Sequence, residues 1–179
     1  MRGVKVLVVG GGKIAAEKIE KLIDFTTEIT VIATTLSCQT DALIRKYALS
    51  GYQRPYREGD INGYDIVIIA TDKAALHKSI YEESRGAHIL VNSVDNTQYC
   101  DFIFPSYIKQ DDLTIAFSTG GASPAFAKRL REYMERIIPK NAALFLKKMK
   151  RLRTTTPKGK ERMQHFERMV EAYFQRYFK

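Results

Sequence analysis

Lys5-Val6-Leu7-Val8-Val9-Gly10-Gly11-Gly12-Lys13-Ile14-Ala15 decides how the rest of the chain is read. Residues 4–9 are apolar and mostly β-branched apart from Lys5, the composition of a strand covered on both faces in a parallel sheet. The turn that follows has the pattern G-x-G-x-x-A, from Gly10, Gly12 and Ala15. Gly10 permits a tight bend, Gly12 lets a pyrophosphate approach the backbone, and Ala15 is small enough for helix to pack on strand. The helix that starts here presents free N–H groups and a positive dipole end to an anion. The stretch therefore predicts dinucleotide binding, with a βα turn that binds nothing as the alternative.

Outward from this stretch, residues 13–24 place Ile14, Ala15, Ile19, Leu22 and Ile23 at helical spacing. Residues 29–33 read as a second strand by β-branching. A helix capped by Ser37 or Thr40 is predicted to run to about residue 50 with Leu43, Ile44 and Tyr47 inward, closed by Gly51, before a short strand over residues 52–56. Residues 65–72 and 88–95 read as further strands, with a helix over 73–85 closing at Gly86 between them. Alternating strands and helices of this length predict βαβ units in an α/β fold, a Rossmann-type doubly wound parallel sheet.

The rhythm changes after Asn96. Residues 102–108 and 113–118 are strand-like, joined by a turn at 109–112 with no helix between them. Ser123 and Pro124 open a helix over 125–138 with Phe126, Leu130, Tyr133, Met134 and Ile137 on one side, and Pro139 marks its end. Two helical pieces, 142–152 and 161–178, follow around a break at 154–159; Met163, Phe166, Val170, Tyr173, Phe174 and Tyr177 form a stripe read as packing, within the chain or across a dimer. Three segments are predicted: a nucleotide-binding domain (1–100), a small α+β hairpin-plus-helix region (101–139) and a basic helical tail (140–179).

At 179 residues the chain holds one core domain and an appendage. No apolar run approaches the roughly 20 residues of a membrane span. The first strand begins almost at residue 1, so no signal peptide is expected. Cys38 and Cys100 make no CxxC pair, which suits a reducing, cytoplasmic setting. His77, His88 and His165 have no ligand spacing, so no metal site is predicted. The net charge of +9 is uneven: residues 140–179 hold 12 Lys and Arg against 3 Asp and Glu, and residues 1–139 hold 17 of each. Such a tail can meet nucleic acid, anionic lipid or an acidic small molecule, or be a solvated helix face. Its aromatic residues sit at core spacing and are not interleaved for base stacking, so no nucleic-acid partner is expected; with no apolar run of membrane length, no membrane partner is expected either.

In open α/β sheets ligands bind at the carboxyl ends of the strands. Those ends are Gly10–Gly12, Ala33-Thr34-Thr35, Ala70-Thr71-Asp72 and Asn92-Ser93-Val94-Asp95. The second strand lacks the acid that commonly grips ribose hydroxyls, and also an Arg suited to a 2′-phosphate, so Thr34 and Thr35 become the candidates and NAD versus NADP stays open. Asp95 follows an apolar strand with no Lys or Arg within several residues; it reads as a general base or as an Asx-turn residue. Asp72 also reads as a helix cap. Gly120, Gly121 and the helix start after Ser123 suit a carboxylate-bearing substrate, or form an ordinary glycine turn with an N-cap.

Gly10-Gly11-Gly12-Lys13-Ile14-Ala15, Ala70-Thr71-Asp72, Val91-Asn92-Ser93-Val94-Asp95, Cys100-Asp101-Phe102-Ile103-Phe104-Pro105 and Ser118-Thr119-Gly120-Gly121-Ala122-Ser123-Pro124 occur in that order. Across residues 3–139 the chain resembles the precorrin-2 dehydrogenase family of sirohaem biosynthesis. The resemblance implies NAD-dependent oxidation of precorrin-2, a tetrapyrrole ringed by carboxylates, to sirohydrochlorin, in a homodimer formed through the region after the Rossmann domain. It implies Asp95 as the key catalytic aspartate. Gly10, Gly12, Lys13, Ile14, Thr34, Thr35, Ala70, Thr71 and Asp72 go to the cofactor, and Asn92, Thr119, Gly120 and Ser123 to the substrate. Bifunctional relatives also insert iron, and the tail here does not match theirs. A nucleotide-sensing module is the competing reading, and the missing acid at Thr34-Thr35 and the 119–124 turn both count against it.

Overall fold

The computed structural model describes residues 3–94 and 96–178. The chain divides into two compact units, Met1–Ile103 and Phe104–Lys179. In the first, β1 (Val6–Val9), β2 (Ile29–Ala33), β3 (Ser50–Gln53), β4 (Ile66–Ile69) and β5 (Leu90–Ser93) form one parallel sheet in the order β3-β2-β1-β4-β5. The order reverses after β3, so β4 pairs with β1, Val6 opposite Ile66 and Val9 opposite Ile69. A sheet of this order is doubly wound, and its crevice opens at the carboxyl ends of β1 and β4. Helices α1 (Lys13–Ile23), α2 (Cys38–Tyr47) and α3 (Ala74–Arg85) connect the strands.

The central strands β1, β2 and β4 are largely apolar on both faces because both are covered. Leu7, Val9, Val67, Ile69 and Val91 share a core with Ile80 of α3 and with Ile61, while the alternate residues Val6, Val8, Val31 and Ile68 are fully buried on the other face. Ala15, predicted small for helix packing, is fully buried.

The bounds of the second helix and of the strand after it change, the strand running Ser50–Gln53 and not 52–56. Helix α2 stops at Tyr47, not near residue 50. Ala48 adopts a left-handed conformation (φ 52°), its N–H and that of Leu49 bond back to Arg45 and Ile44, and Ser50 and Gly51 pair with Thr30 and Val31 of β2. Sheet pairing thus claims the residues that helical periodicity assigned to α2, and Ala48, not Gly51, ends the helix. The connection from β3 to β4 has no helix. Ile61 is buried against the sheet in its place, with Tyr56 and Tyr64 packed beside it. The connection is fastened by Arg54, which grips Asp60 through two bonds of 2.6 and 2.8 Å, and by Glu83, which accepts from Tyr56 Oη and the Gly59 N–H. Burial first, and Glu83 second, push the Tyr56 phenol well above its ordinary range.

In the second unit β6 (Ser106–Gln110) and β7 (Leu113–Phe117) form an antiparallel hairpin, followed by α4 (Pro124–Ile137), α5 (Ala142–Thr155) and α6 (Lys160–Tyr177). Strand β6 begins at Ser106, later than the apolar run predicts. Pro105 has no N–H to give a ladder, and the Phe102 carbonyl accepts from Asn92 Nδ2 at 2.8 Å. Ile108, Ile138 and Ala142 form the small core, with Ile115, Phe117 and Met134 against it.

After β5, a loop with a single 3-10 turn at Thr97–Tyr99 returns to its start. Asp101 N–H donates to the Val91 carbonyl and Asp101 Oδ2 accepts from Val91 N, both at 2.8 Å, while Arg85 binds the same carboxylate at 2.6 and 2.8 Å. The guanidinium of Arg85 holds the Asp101 carboxyl below its usual range, helped by the Val91 N–H and opposed by burial. A carboxylate whose folded pKa is depressed contributes stability that is complete above its unfolded pKa, about 4, and lost as pH falls through the folded value. Asp60, bound by Arg54, acts in the same direction. Acid unfolding followed by circular dichroism should therefore show stability falling below about pH 4. Asp101→Asn should flatten part of that fall and cost about 1–2 kcal/mol at pH 7, discounted for the partial exposure of Arg85.

Candidate functional site

The glycine turn is fixed from behind. The Gly10 N–H bonds to the Ile32 carbonyl at 2.9 Å, and the Gly11 carbonyl accepts from Ser37 N at 2.8 Å. The hydroxyl of Thr40, fully buried, donates to the Gly12 carbonyl at 3.2 Å. Thr40 thereby has its acceptor lone pairs free for the Ser37 hydroxyl 3.0 Å away, while Ser37 Oγ accepts the Thr40 N–H and caps α2. Of the two predicted caps, Ser37 is the cap and Thr40 is the brace. With its carbonyls occupied behind, the turn is left with its N–H side for a ligand. Gly12 caps α1 with no side-chain bond to the first-turn N–H groups.

The glycines divide by what a methyl group would meet. At Gly10 (φ 124°) a Cβ would lie 2.1 Å from the Ala70 carbonyl oxygen, so this residue is required by the close approach of β4. At Gly12 it would meet nothing within 4 Å. The space over Gly12 is open, which is the fit a dinucleotide pyrophosphate requires.

That space belongs to a cavity of about 1110 Å³ at the β1/β4 switch point. Gly10, Gly12, Lys13, Ile14, Thr34, Thr35, Ala70, Thr71 and Asp72 all line it. Asp72 lies outside α3, whose N-cap is Lys73, and the Thr71 hydroxyl accepts from the Lys73 N–H. Asn92 is buried and does not line the cavity; its Nδ2 donates to Phe102 O, so it fastens the loop after β5. Asp95 lies outside the described residues; Val94 and Asn96, its neighbours in sequence, both line the cavity.

Thr119, Gly120 and Ser123 lie in the second unit, before α4. Gly120 (φ 60°) and Gly121 (φ 88°) turn the chain through left-handed conformations. Ser123 Oγ accepts from Phe126 N as the cap of α4, and Thr119 Oγ1 accepts from Ser123 N at 3.0 Å. Each hydroxyl, accepting one N–H, keeps its own proton to donate.

Sequence reasoning passed over three groups in the crevice. Arg54 and Tyr56 line it, although neither belongs to a motif. His77, discounted for lack of ligand spacing, also lines it, on the buried face of α3. Its Nε2 donates to the Thr71 carbonyl at 2.7 Å, so in the neutral ring Nδ1 accepts from the Ser93 hydroxyl at 2.5 Å, joining the ends of β4 and β5. The signal available was the spacing of His77 with Ile80 and Ser84, which marks one helix face.

The family model described as "Putative NAD(P)-binding" matches residues 1–106, and that described as "Sirohaem biosynthesis protein central" matches residues 110–137. A solved structure of SirC, precorrin-2 dehydrogenase, superposes with a TM-score of 0.74 at 26% identity, over 91% of this chain and 82% of that one. The chain belongs to the precorrin-2 dehydrogenase family of sirohaem biosynthesis.

Among curated relatives, the siroheme synthase of Pseudoalteromonas atlantica is 36% identical over 138 residues, 77% of this chain and 30% of that protein. The siroheme synthase of Methylococcus capsulatus is 33% identical over 176 residues, 96% of this chain and 37% of that protein. The chain spans about a third of the length of the curated relatives it matches. The nucleotide-binding family model spans every residue that lines the crevice, and the crevice has the open floor at Gly12 that a dinucleotide needs. Among the described residues, no helix is long and apolar enough to cross a membrane.

The two glycines separate fold from binding. Gly12→Ala should change thermal stability by less than about 1 kcal/mol, since Ala tolerates an extended cap position, yet weaken nucleotide binding at least about tenfold by calorimetry. Gly10→Ala should cost about 3 kcal/mol through overpacking and a positive φ, and should show as a lowered melting temperature.

Proposed function

We propose that this chain is a cytoplasmic, NAD-dependent precorrin-2 dehydrogenase that forms sirohydrochlorin as a homodimer. One observation carries the reading: in a chain of this family, the space above Gly12 at the sheet's switch point is clear for a pyrophosphate. The N–H groups at the start of α1 bind that pyrophosphate, with Lys13 and Ile14 beside it. Thr34 and Thr35 take the ribose hydroxyls in place of the missing acid, and Ala70, Thr71 and Asp72 border the cofactor at the end of β4. NAD is preferred over its 2′-phosphorylated form because the guanidinium of Arg54, which lines the crevice, is taken up by Asp60.

Bound there, NAD supplies the acceptor for a hydride. Precorrin-2 loses two hydrogens in becoming sirohydrochlorin: one leaves as that hydride, and Asp95 takes the other as a proton. The lining positions of Val94 and Asn96 support this role. Thr119 and Ser123 donate their remaining hydroxyl protons to substrate carboxylates, and Gly120 keeps the turn open. Asn92 acts as a positioning residue through the loop it fastens.

The homodimer is supported by α4. Phe126, Leu130, Tyr133 and Ile137 recur on one face of this helix and are 61, 38, 55 and 40% exposed. Four large apolar side chains in one stripe are the composition of a buried helix face.

Incubation with precorrin-2 should yield NADH and the sirohydrochlorin spectrum together, with NADP a poorer acceptor. Absence of NADH with competent substrate overturns the reading, and retained NAD binding without turnover would favour the sensing module. Asp95→Asn should lower kcat by about 100-fold or more, the usual contribution of a general base, with NAD affinity little changed. Tyr133→Glu combined with Phe126→Glu should shift the sedimentation coefficient from dimer to monomer.

A further inference from the structure

The second unit carries a cavity that shares no residue with the nucleotide crevice. It occupies about 780 Å³ between α5 and α6, within the range of sites for ligands of a few hundred daltons and above. Its floor is aromatic. Phe145 and Tyr173 stack at 4.2 Å with planes 16° apart, and the Tyr177 ring lies 4.9 Å from Tyr173. Tyr173 is fixed, because it is buried and its hydroxyl donates to Asn141 Oδ1 at 2.8 Å. Tyr177 and Leu144 are exposed at 39 and 70% and offer apolar surface to a ligand.

The walls are cationic. Lys147, Lys148, Lys150 and Arg151 all line the cavity. Lys150 binds Asp112 at 2.9 Å; Lys147, Lys148 and Arg151 have no carboxylate partner among the described residues. Helix α5 contains no acidic residue at all. Lys147 and Arg151 are four apart and Lys148 and Arg151 three apart, spacings at which like charges on a helix repel. Packing against the hairpin gains nothing from that repulsion. A bound polyanion removes it, and Arg151 can meet a carboxylate with two parallel N–H bonds.

We propose that this cavity is a second ligand site, for a planar conjugated polycarboxylate, and that its natural occupant is the chain's own tetrapyrrole product. The assignment of that occupant rests on the dehydrogenase reading above; the ligand class rests on the site. The ring system lies against Tyr177 and Leu144, and its carboxylates meet Lys147, Lys148 and Arg151. The site retains an oxidised product after it leaves the nicotinamide. An oligonucleotide fits less well, since Phe145 and Tyr173 stack on each other and do not stand apart as base platforms.

The test uses the full chain and uroporphyrin, a fluorescent planar octacarboxylate, titrated at low salt. Lys147→Gln/Lys148→Gln/Arg151→Gln should weaken its binding about tenfold or more, and Tyr177→Ala about threefold. NAD affinity and melting temperature should stay at wild-type values in both. Equal uroporphyrin affinity in the wild type and the triple variant overturns the proposal. So does displacement by inositol hexakisphosphate or a single-stranded oligonucleotide at concentrations that match unlabelled uroporphyrin, since the site would then read charge alone. Binding lost in the triple variant, in a chain that forms no NADH from precorrin-2, keeps the site and removes only its natural occupant. NADH formation with unchanged uroporphyrin binding in that variant removes the site and leaves the dehydrogenase reading standing.

Discussion

The bond from the Thr40 hydroxyl to the Gly12 carbonyl fixes which side of the glycine turn faces outward. A peptide group has one donor end and one acceptor end, and fastening the acceptor from behind commits the donor to the front. Thr40 is fully buried, so its own hydroxyl has to be satisfied, and the Ser37 hydroxyl supplies the second partner. The same two residues start α2, and the Ser37 N–H takes the Gly11 carbonyl. The cap of one helix is therefore also the scaffold of the turn that begins another. On the far side the Ala70 carbonyl lies where a Cβ on Gly10 would be, which sets how closely β4 can approach. The crevice is the space left between these two constraints.

Strand and helix identities in the first unit were legible because both signals are local. Apolar β-branched runs at Val6–Val9, Ile29–Ala33 and Ile66–Ile69 are too dense for a half-exposed element, and the amphipathic period of α1 begins directly after the glycines. Boundaries set by pairing were less legible. Ser50 and Gly51 carry no strand signal, and only their register opposite Thr30 and Val31 makes them β3. The ties that fasten the β3–β4 connection escaped for a related reason. They join Arg54 to Asp60 and Tyr56 to Glu83, the latter 27 residues apart, and no periodicity encodes them. In the crevice the glycines and strand ends are set by chain order, whereas His77 enters only because α3 packs its buried face toward Ser93.

The basic tail also resolves into parts. Its charge is densest on α5, where no acid offsets it, and its aromatic stripe divides. Phe166 and Tyr173 are buried, whereas Met163 and Phe174 are 70 and 51% exposed. Helical spacing alone could not make that division, because it reports a face and not what covers the face.

Val91 and Asp101 exchange bonds across the base of the loop after β5, and Arg85 seals the same point. The 3-10 turn Thr97–Tyr99 lies beyond this tie, while Asn92 and Ser93 stay in the sheet. A loop tied in this way can change length and composition while the pairing of β5 with β4 stays put. Because each doubling of a flexible loop's length costs only about 0.6 kcal/mol, such drift is thermodynamically cheap. The fold thus separates the glycine turn, whose geometry is locked into the sheet, from a loop whose sequence is free to change behind one tie.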